Sequence, residues 1–194
     1  MTRELQTTGV ERFFGKDEII VSKTDLKRRI TYANQVFVNL AGYTEQELLG
    51  QPHSIIRHPD MPRAVFKLVW DTIEAGKEIF AYVINRAKNG DHYWVYAHVT
   101  PSFGPSGEII GYHSNRRVPN PDTVKNVIAP LYAQLREVER SHANAKEGMK
   151  ASVAAVLALL QENGVSYDEF VMSLDQDPKY APGARAADDM RAVA

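Results

Sequence analysis

Lys88–Pro101 reads KNGDHYWVYAHVTP, and the reading of this stretch decides the fold. From His92 to Val99 it is long and aromatic, with the β-branched and ring side chains that suit a pleated, half-buried surface, as a central strand requires. Ahead of it, Asn89-Gly90 is the favoured centre of a two-residue hairpin turn. The strand on the near side of that turn is Ile79–Arg86. On the far side, after His92–Phe103, Gly104-Pro105-Ser106-Gly107 turns the chain into a further strand, Ile109–Arg116.

Working outward, the upstream half supplies two more strands and the helices that follow them. Glu18–Ser22 (EIIVS) reads as a strand, Thr24–Arg29 as a polar turn and Ile30–Ala33 (ITYA) as a strand. Val36, Phe37 and Leu40 fall at helical spacing after Asn34, and Gly42 ends that helix. Thr44 and Glu47 form a capping box for a helix of one turn that stops at Gly50. In Arg63–Ala75, Val65, Phe66, Val69, Trp70 and Ile73 share one face of an amphipathic helix ending at Gly76. Two runs of strands around a helical middle predict an α+β domain: a five-stranded antiparallel sheet with short helices on one face.

Bulk properties narrow the function classes. The chain has 194 residues, enough for one ordinary domain with accessory elements. A net charge of −1 with 24% charged residues gives no footprint for nucleic acid. The longest apolar run, Val153–Leu160, falls far short of the roughly 18 residues of a membrane span. The N-terminal MTRELQTTGVERFFGKDE has no apolar signal-peptide core, so a cytoplasmic protein without membrane contact is expected. The absence of cysteine excludes disulfides, thiolate metal sites and a flavin–cysteinyl adduct. Without a Gly-rich phosphate loop, metal-ligand spacing or nucleophile elbow, an enzyme is the class least expected.

The segment Ile55–Pro62, IIRHPDMP, sets charges of both signs and two stiffening prolines beside apolar residues. Together with AGYTEQELLGQPH, NRAKNGDHYWV and the order of elements, it resembles the PAS domain of the aerotaxis-receptor (Aer-type) family, whose members bind FAD. The resemblance covers about Val21–Arg117. It implies that Arg57, His58 and Asp60 border the cofactor, with Asn34 near the start of the first helix. Phe66 and Trp70 then belong to the long helix, and Asn85 presents its amide to the polar edge of the ring. The chemistry suits those residue types: a planar guanidinium fork for phosphate or carbonyl, and an amide that both donates and accepts. The family often carries a tryptophan where this chain has Lys77–Tyr82, so Ile79 or Phe80 is left to supply that apolar wall.

Structural roles for the same residues stand beside these. Arg57 and Asp60 can form a salt bridge that pins a loop, His58 can bond a backbone group, and Asn34 can be a helix N-cap. The function implied is a FAD-binding sensor of redox state or oxygen in aerotaxis-like signalling. A haem b gas sensor and a cofactor-free PAS dimerisation module are the alternatives.

Beyond the sheet, Asn120-Pro121-Asp122 starts a helix with an N-cap, a proline at the first position and an acid in the first turn. Val124, Ile128, Leu131, Leu135, Val138, His142, Ala145, Met149, Ser152, Val156 and Leu159 then repeat at spacings of four and three, a heptad seam with a weak middle. Pro130 is expected to kink it. The resulting organisation is a 1–17 arm, an 18–118 sensor domain, a 119–163 heptad-patterned signalling or dimerisation helix, and a 164–194 segment with a short helix and a disordered tail. A homodimer and a downstream signalling protein are the expected partners.

Overall fold

The computed structural model describes residues 6–176. The expected disorder of the C-terminal tail lies outside the described residues from 177 onward. Two compact units emerge: the chain up to Met61 together with Val69–Val118, and Pro62–Leu68 together with the chain from Pro119.

The first unit is built on five antiparallel strands, β1 (Ile20–Thr24), β2 (Ile30–Ala33), β3 (Ile79–Arg86), β4 (His92–Phe103) and β5 (Ile109–Arg117), in the order β2-β1-β5-β4-β3. Register fixes which side chains share a face. Asn85 lies opposite Tyr93, Val83 opposite Val95 and Ala81 opposite Ala97; Ala97 in turn faces Arg116, and Arg116 faces Ile20. Alternation therefore puts Asn85, Tyr93, Val95, Ala97, Arg116, Ile20 and Ser22 on one face, called the inner face. Its apolar members form the core with Phe37, Leu40 and Ala41 of α1 (Gln35–Ala41), Leu48 of α2 (Glu45–Leu48) and Ile56 of the 3-10 turn His53–Ile56. Asn34 caps α1, and Thr44 and Glu47 close the capping box of α2 in both directions. The same alternation places Ile79 inward and Phe80 on the outer face, where Phe80 stacks on His98 at 4.2 Å. Ile79, not Phe80, is thus the apolar wall available to the interior.

Two expectations are corrected. The hairpin between β3 and β4 is not a two-residue Asn-Gly turn. Arg86 pairs with His92, and Ala87–Asp91 all lie in the connection, with Gly90 at φ 100° following a turn closed by Gly90 N–H to the Ala87 carbonyl at 3.0 Å. Ala87 N–H donates to the Asp91 carbonyl at 2.7 Å and closes the longer loop, and the Asp91 side chain is held by the N-terminal arm. Arg12 Nε donates to its Oδ2 at 2.8 Å and Thr8 Oγ1 to its Oδ1 at 2.7 Å. These bonds, from Thr8 first and then Arg12, hold the Asp91 carboxyl down at about 2. Arg12 also donates to the Leu40 carbonyl at 2.8 Å, and Glu11 pairs in parallel with His92.

The second correction concerns the heptad seam. A long C-terminal helix is present as α6 (Ala145–Glu162, 18 residues), but the register does not run unbroken through it. The helix that starts as α4 (Pro121–Thr123) passes through one π-helical stretch, Val124–Ile128, into α5 (Ala129–Arg140), and then stops. Pro130 explains the π stretch: its ring would collide with the carbonyl four residues back, and the wider turn relieves this. Ser141–Asn144 explains the stop. Ser141 Oγ and His142 Nδ1 both donate to the Val138 carbonyl, and Asn144 Oδ1 accepts from Lys146 N–H to begin α6. The polar middle of the seam is a pair of caps. α5 and α6 fold into a hairpin, and a Cβ at Gly148 would overlap the Glu139 carbonyl oxygen. Helix α7 (Tyr167–Gln176) adds buried Phe170, Val171 and Leu174, with the Leu174 carbonyl accepting from Thr123 Oγ1 at 3.0 Å.

Candidate functional site

The inner face carries several buried polar groups, Ser22, Asn85 and Arg116 among them. Arg116 is 2% exposed. Its Nη2 donates to Ser22 Oγ at 2.5 Å and its guanidinium lies over the Phe37 ring at 4.5 Å, but Nε and Nη1 have no hydrogen-bond partner. Asn85, at 3% exposed, leaves Nδ2 unpartnered, and the buried Tyr93 hydroxyl across from it is unpartnered as well. Each buried polar atom without a partner costs about 1–3 kcal/mol, and a charged group costs more. Such atoms persist where something else completes them.

Electrostatics sharpen this. Burial lowers Arg116 to about 10, so it remains a cation at neutral pH. His53 Nε2 lies 3.2 Å from the same Ser22 Oγ; burial first and the Arg116 charge second push it down to about 3, so it is neutral. Burial raises the Tyr93 hydroxyl and keeps it protonated. The face therefore presents one cation and two neutral donors. Sequence reasoning singled out Asn85 but missed Arg116, Tyr93 and His53.

The Arg57–Pro62 motif is a self-closed bend. The His58 carbonyl accepts from Met61 N–H and His58 Nδ1 accepts from Asp60 N–H, both at 3.1 Å, while Pro59 sits at the position of the turn that suits its fixed φ. Because Nδ1 is an acceptor and burial lowers the His58 pKa, the 3.6 Å approach of the Asp60 carboxylate is not an ion pair at neutral pH. The Asp60 side chain is 70% exposed. Arg57 Nη2 donates to the Met61 carbonyl at 3.3 Å, and the Arg57 backbone pairs with that of Asn85. The bend thus covers part of the β3 edge, and it brings Arg57 and Asn85 together. His58 packs near His92, with ring centroids 5.7 Å apart, and feels the charge of Arg86, whose Nε is buried without a partner.

The remaining predicted residues lie elsewhere. Asn34 spends its amide on the backbone: Oδ1 accepts from Phe37 and Val21 N–H at 3.1 and 3.0 Å, and Nδ2 donates to the Ile19 carbonyl at 2.7 Å. Trp70 lies in the second half of α3 (Arg63–Glu74), edge-on to Tyr112 at 5.5 Å and beneath the Arg28 guanidinium at 4.1 Å. Tyr112 pairs with Pro101, the opposite end of β4 from Tyr93, so Trp70 and Asn85 are not neighbours. Phe66, in the first half of α3, falls in the second unit.

Comparison with known proteins shows what this arrangement is similar to. Residues 30–116 match the PAS fold. The chain is 46% identical over 119 residues to the aerotaxis receptor of Escherichia coli (strain K12), covering 61% of this chain and 23% of the receptor. It is 31% identical over 99 residues to the nitrogen fixation regulatory protein of Klebsiella pneumoniae, covering 51% of this chain and 20% of that protein. The chain thus spans about a fifth to a quarter of the length of these relatives. Among solved structures, a light-oxygen-voltage domain studied with a flavin analogue superposes with a TM-score of 0.51 at 20% identity, over 60% of this chain and 87% of that one. The aureochrome1 light-oxygen-voltage domain in its light state gives 0.50 at 24%, over 61% and 91%. At those identities the likeness is one of fold. Residues 30–116 thus have the PAS fold, and the chain is similar in sequence over this region to the aerotaxis receptor.

Proposed function

We propose that the PAS unit binds a flavin, FAD, against the inner face of its sheet, and that the protein is a cytoplasmic, homodimeric sensor reporting redox state or oxygen to a signalling partner. The observation that carries this reading is the set of unpartnered buried atoms on one sheet face, Arg116 Nε and Nη1, Asn85 Nδ2 and the Tyr93 hydroxyl. Their chemistry fits the polar edge of an isoalloxazine, and Val95, Ala97 and Ile79 fit its apolar body. The guanidinium groups of Arg57 and Arg86, with the His58 and His92 rings beside them, suit a diphosphate, which distinguishes FAD from smaller flavins. Asn34 acts by tying α1 to β1, Asp60 belongs to the bend that carries Arg57 and His58, and Trp70 is not counted in the site. Phe66 is not counted among the groups assembled here.

A bound flavin supplies a redox centre whose ring edge gains a proton on reduction. Asn85 meets either state by turning its amide, since it holds both a donor and an acceptor. Arg116 stays a donor in both and retains any negative charge that develops. It also lies next to the end of β5, from which the chain runs directly into α4, so movement of that strand is passed along the backbone to the C-terminal helices.

The test is the visible spectrum of the freshly purified full chain, with chromatographic identification of the released chromophore. A yellow protein that bleaches with dithionite, recovers in air and releases FAD is expected. A Soret band would replace the reading with haem, and a colourless protein from flavin-replete cells would replace it with a cofactor-free pairing module.

A further inference from the structure

Helix α3 begins after Met61-Pro62, and neither side chain can accept a hydrogen bond from the first free N–H groups of a helix. The missing acceptor comes from far along the chain. Ala64 N–H donates to Glu139 Oε1 at 3.2 Å, and Glu139 Oε2 accepts from Arg136 Nη1 at 3.0 Å. Glu139 is 2% exposed, a rare environment for a carboxylate. The position is electrostatically apt, because a helix N-terminus carries partial positive charge. The third element to meet this residue is α6, whose Gly148 lies so close to the Glu139 carbonyl oxygen that a Cβ there would overlap it. Pro62–Leu68 accordingly belong to the same compact unit as the C-terminal helices.

We propose that Glu139 is a positioning residue: from α5 it supplies the cap that Met61-Pro62 cannot, and so fastens the first turn of α3 to the α5–α6 hairpin. A shift of that hairpin is then felt at the start of α3, and a shift of α3 is felt at the hairpin. This rests on the proposed function only for what the shift signifies; the fastening itself is independent of any bound flavin.

Hydrogen–deuterium exchange of the full chain tests it, read in peptides spanning Pro62–Leu68, with β4 and β5 peptides as the internal control. Three variants separate reach from charge. E139A removes the acceptor, and exchange at Ala64 is expected to rise about tenfold or more. E139Q keeps an oxygen acceptor on a stem of the same length and is expected to stay near wild type. E139D keeps the charge but is one methylene short, and is expected to open the peptide more than E139Q does. A carboxylate serving only as counter-charge to Arg136 predicts the reverse order. The proposal is overturned if E139A exchanges like wild type, or if E139Q is as open as E139D or more so. Because the readout is an amide in α3, a failure here is distinct from a failure to find flavin.

Discussion

Two buried charges, one in each unit, have opposite fates. In the helical unit Glu139 is met by a guanidinium and a helix N–H, so both its oxygens are used. In the sheet unit Arg116 has one hydroxyl and the face of a phenyl ring, and two of its three nitrogens have no hydrogen-bond partner. The contrast teaches how to sort buried polarity. A satisfied group holds elements together; an unsatisfied one marks a place where the protein is incomplete alone. Among the described residues the helical unit is not perfectly tidy either, since Arg136 Nε and Ser152 Oγ also lack partners, but it has no sheet face on which such atoms gather.

The largest expected effect comes from breaking the satisfied charge. E139A leaves Arg136 without its counter-ion and is expected to cost about 3–5 kcal/mol in urea unfolding, as removal of one partner of a buried pair does. The unsatisfied charge behaves oppositely. Replacing Arg116 with methionine, similar in length and apolar, is expected to stabilise the flavin-free protein by about 1–4 kcal/mol while abolishing flavin retention. A loss of stability in cofactor-free R116M would mean that Arg116 is an ordinary structural residue, and the contrast between the two units would dissolve.

Asn34 sharpens the comparison from within the sheet unit. Its amide is fully committed to backbone groups, so N34A is expected to lower stability by about 0.5–2 kcal/mol through loss of the cap. Flavin bound per folded molecule should be unchanged. A lowered flavin content at unchanged stability would return Asn34 to the cofactor.

The smallest effect is a pH dependence at the N-terminal arm. Asp91 titrates lower in the fold, at about 2, than its ordinary 3.8. Its contribution is therefore complete above 3.8 and fades as pH falls through about 2. Exchange of the Arg12 and Thr8 amides, followed from neutral pH downward, should show the arm loosening only in that acid window, and D91N should loosen it at every pH.

Much of the fold was legible in sequence because periodicity and caps are local. Ile30–Ala33, Ile79–Arg86 and His92–Phe103 appear with the bounds their composition implies, and the Thr44–Glu47 box forms as spelled. The turn at Asn89-Gly90 is longer than two residues because local bonds, Ala87 N–H to the Asp91 carbonyl and Asp91 N–H to Asn89 Oδ1, close a wider loop that the Asn-Gly pair alone does not specify. The seam through His142 and Ala145 looked continuous because heptad spacing does not distinguish a polar seam position from a cap. Arg116 was invisible for a different reason. In SNRRV an arginine reads as a solvated strand end, and only its pairing with Ala97 turns it inward. His53 likewise sits in a polar-looking turn, and its depth depends on Ser22 and Phe37 arriving from other elements.

The central claim is that the unpartnered inner-face groups are completed by a flavin. The most direct measurement is a titration of FAD into cofactor-stripped wild-type protein and R116M, followed by quenching of flavin fluorescence. Saturable binding of one FAD per chain by wild type, lost in a folded R116M, is the predicted result. Wild-type protein that never saturates, or R116M that binds as tightly as wild type, would contradict it.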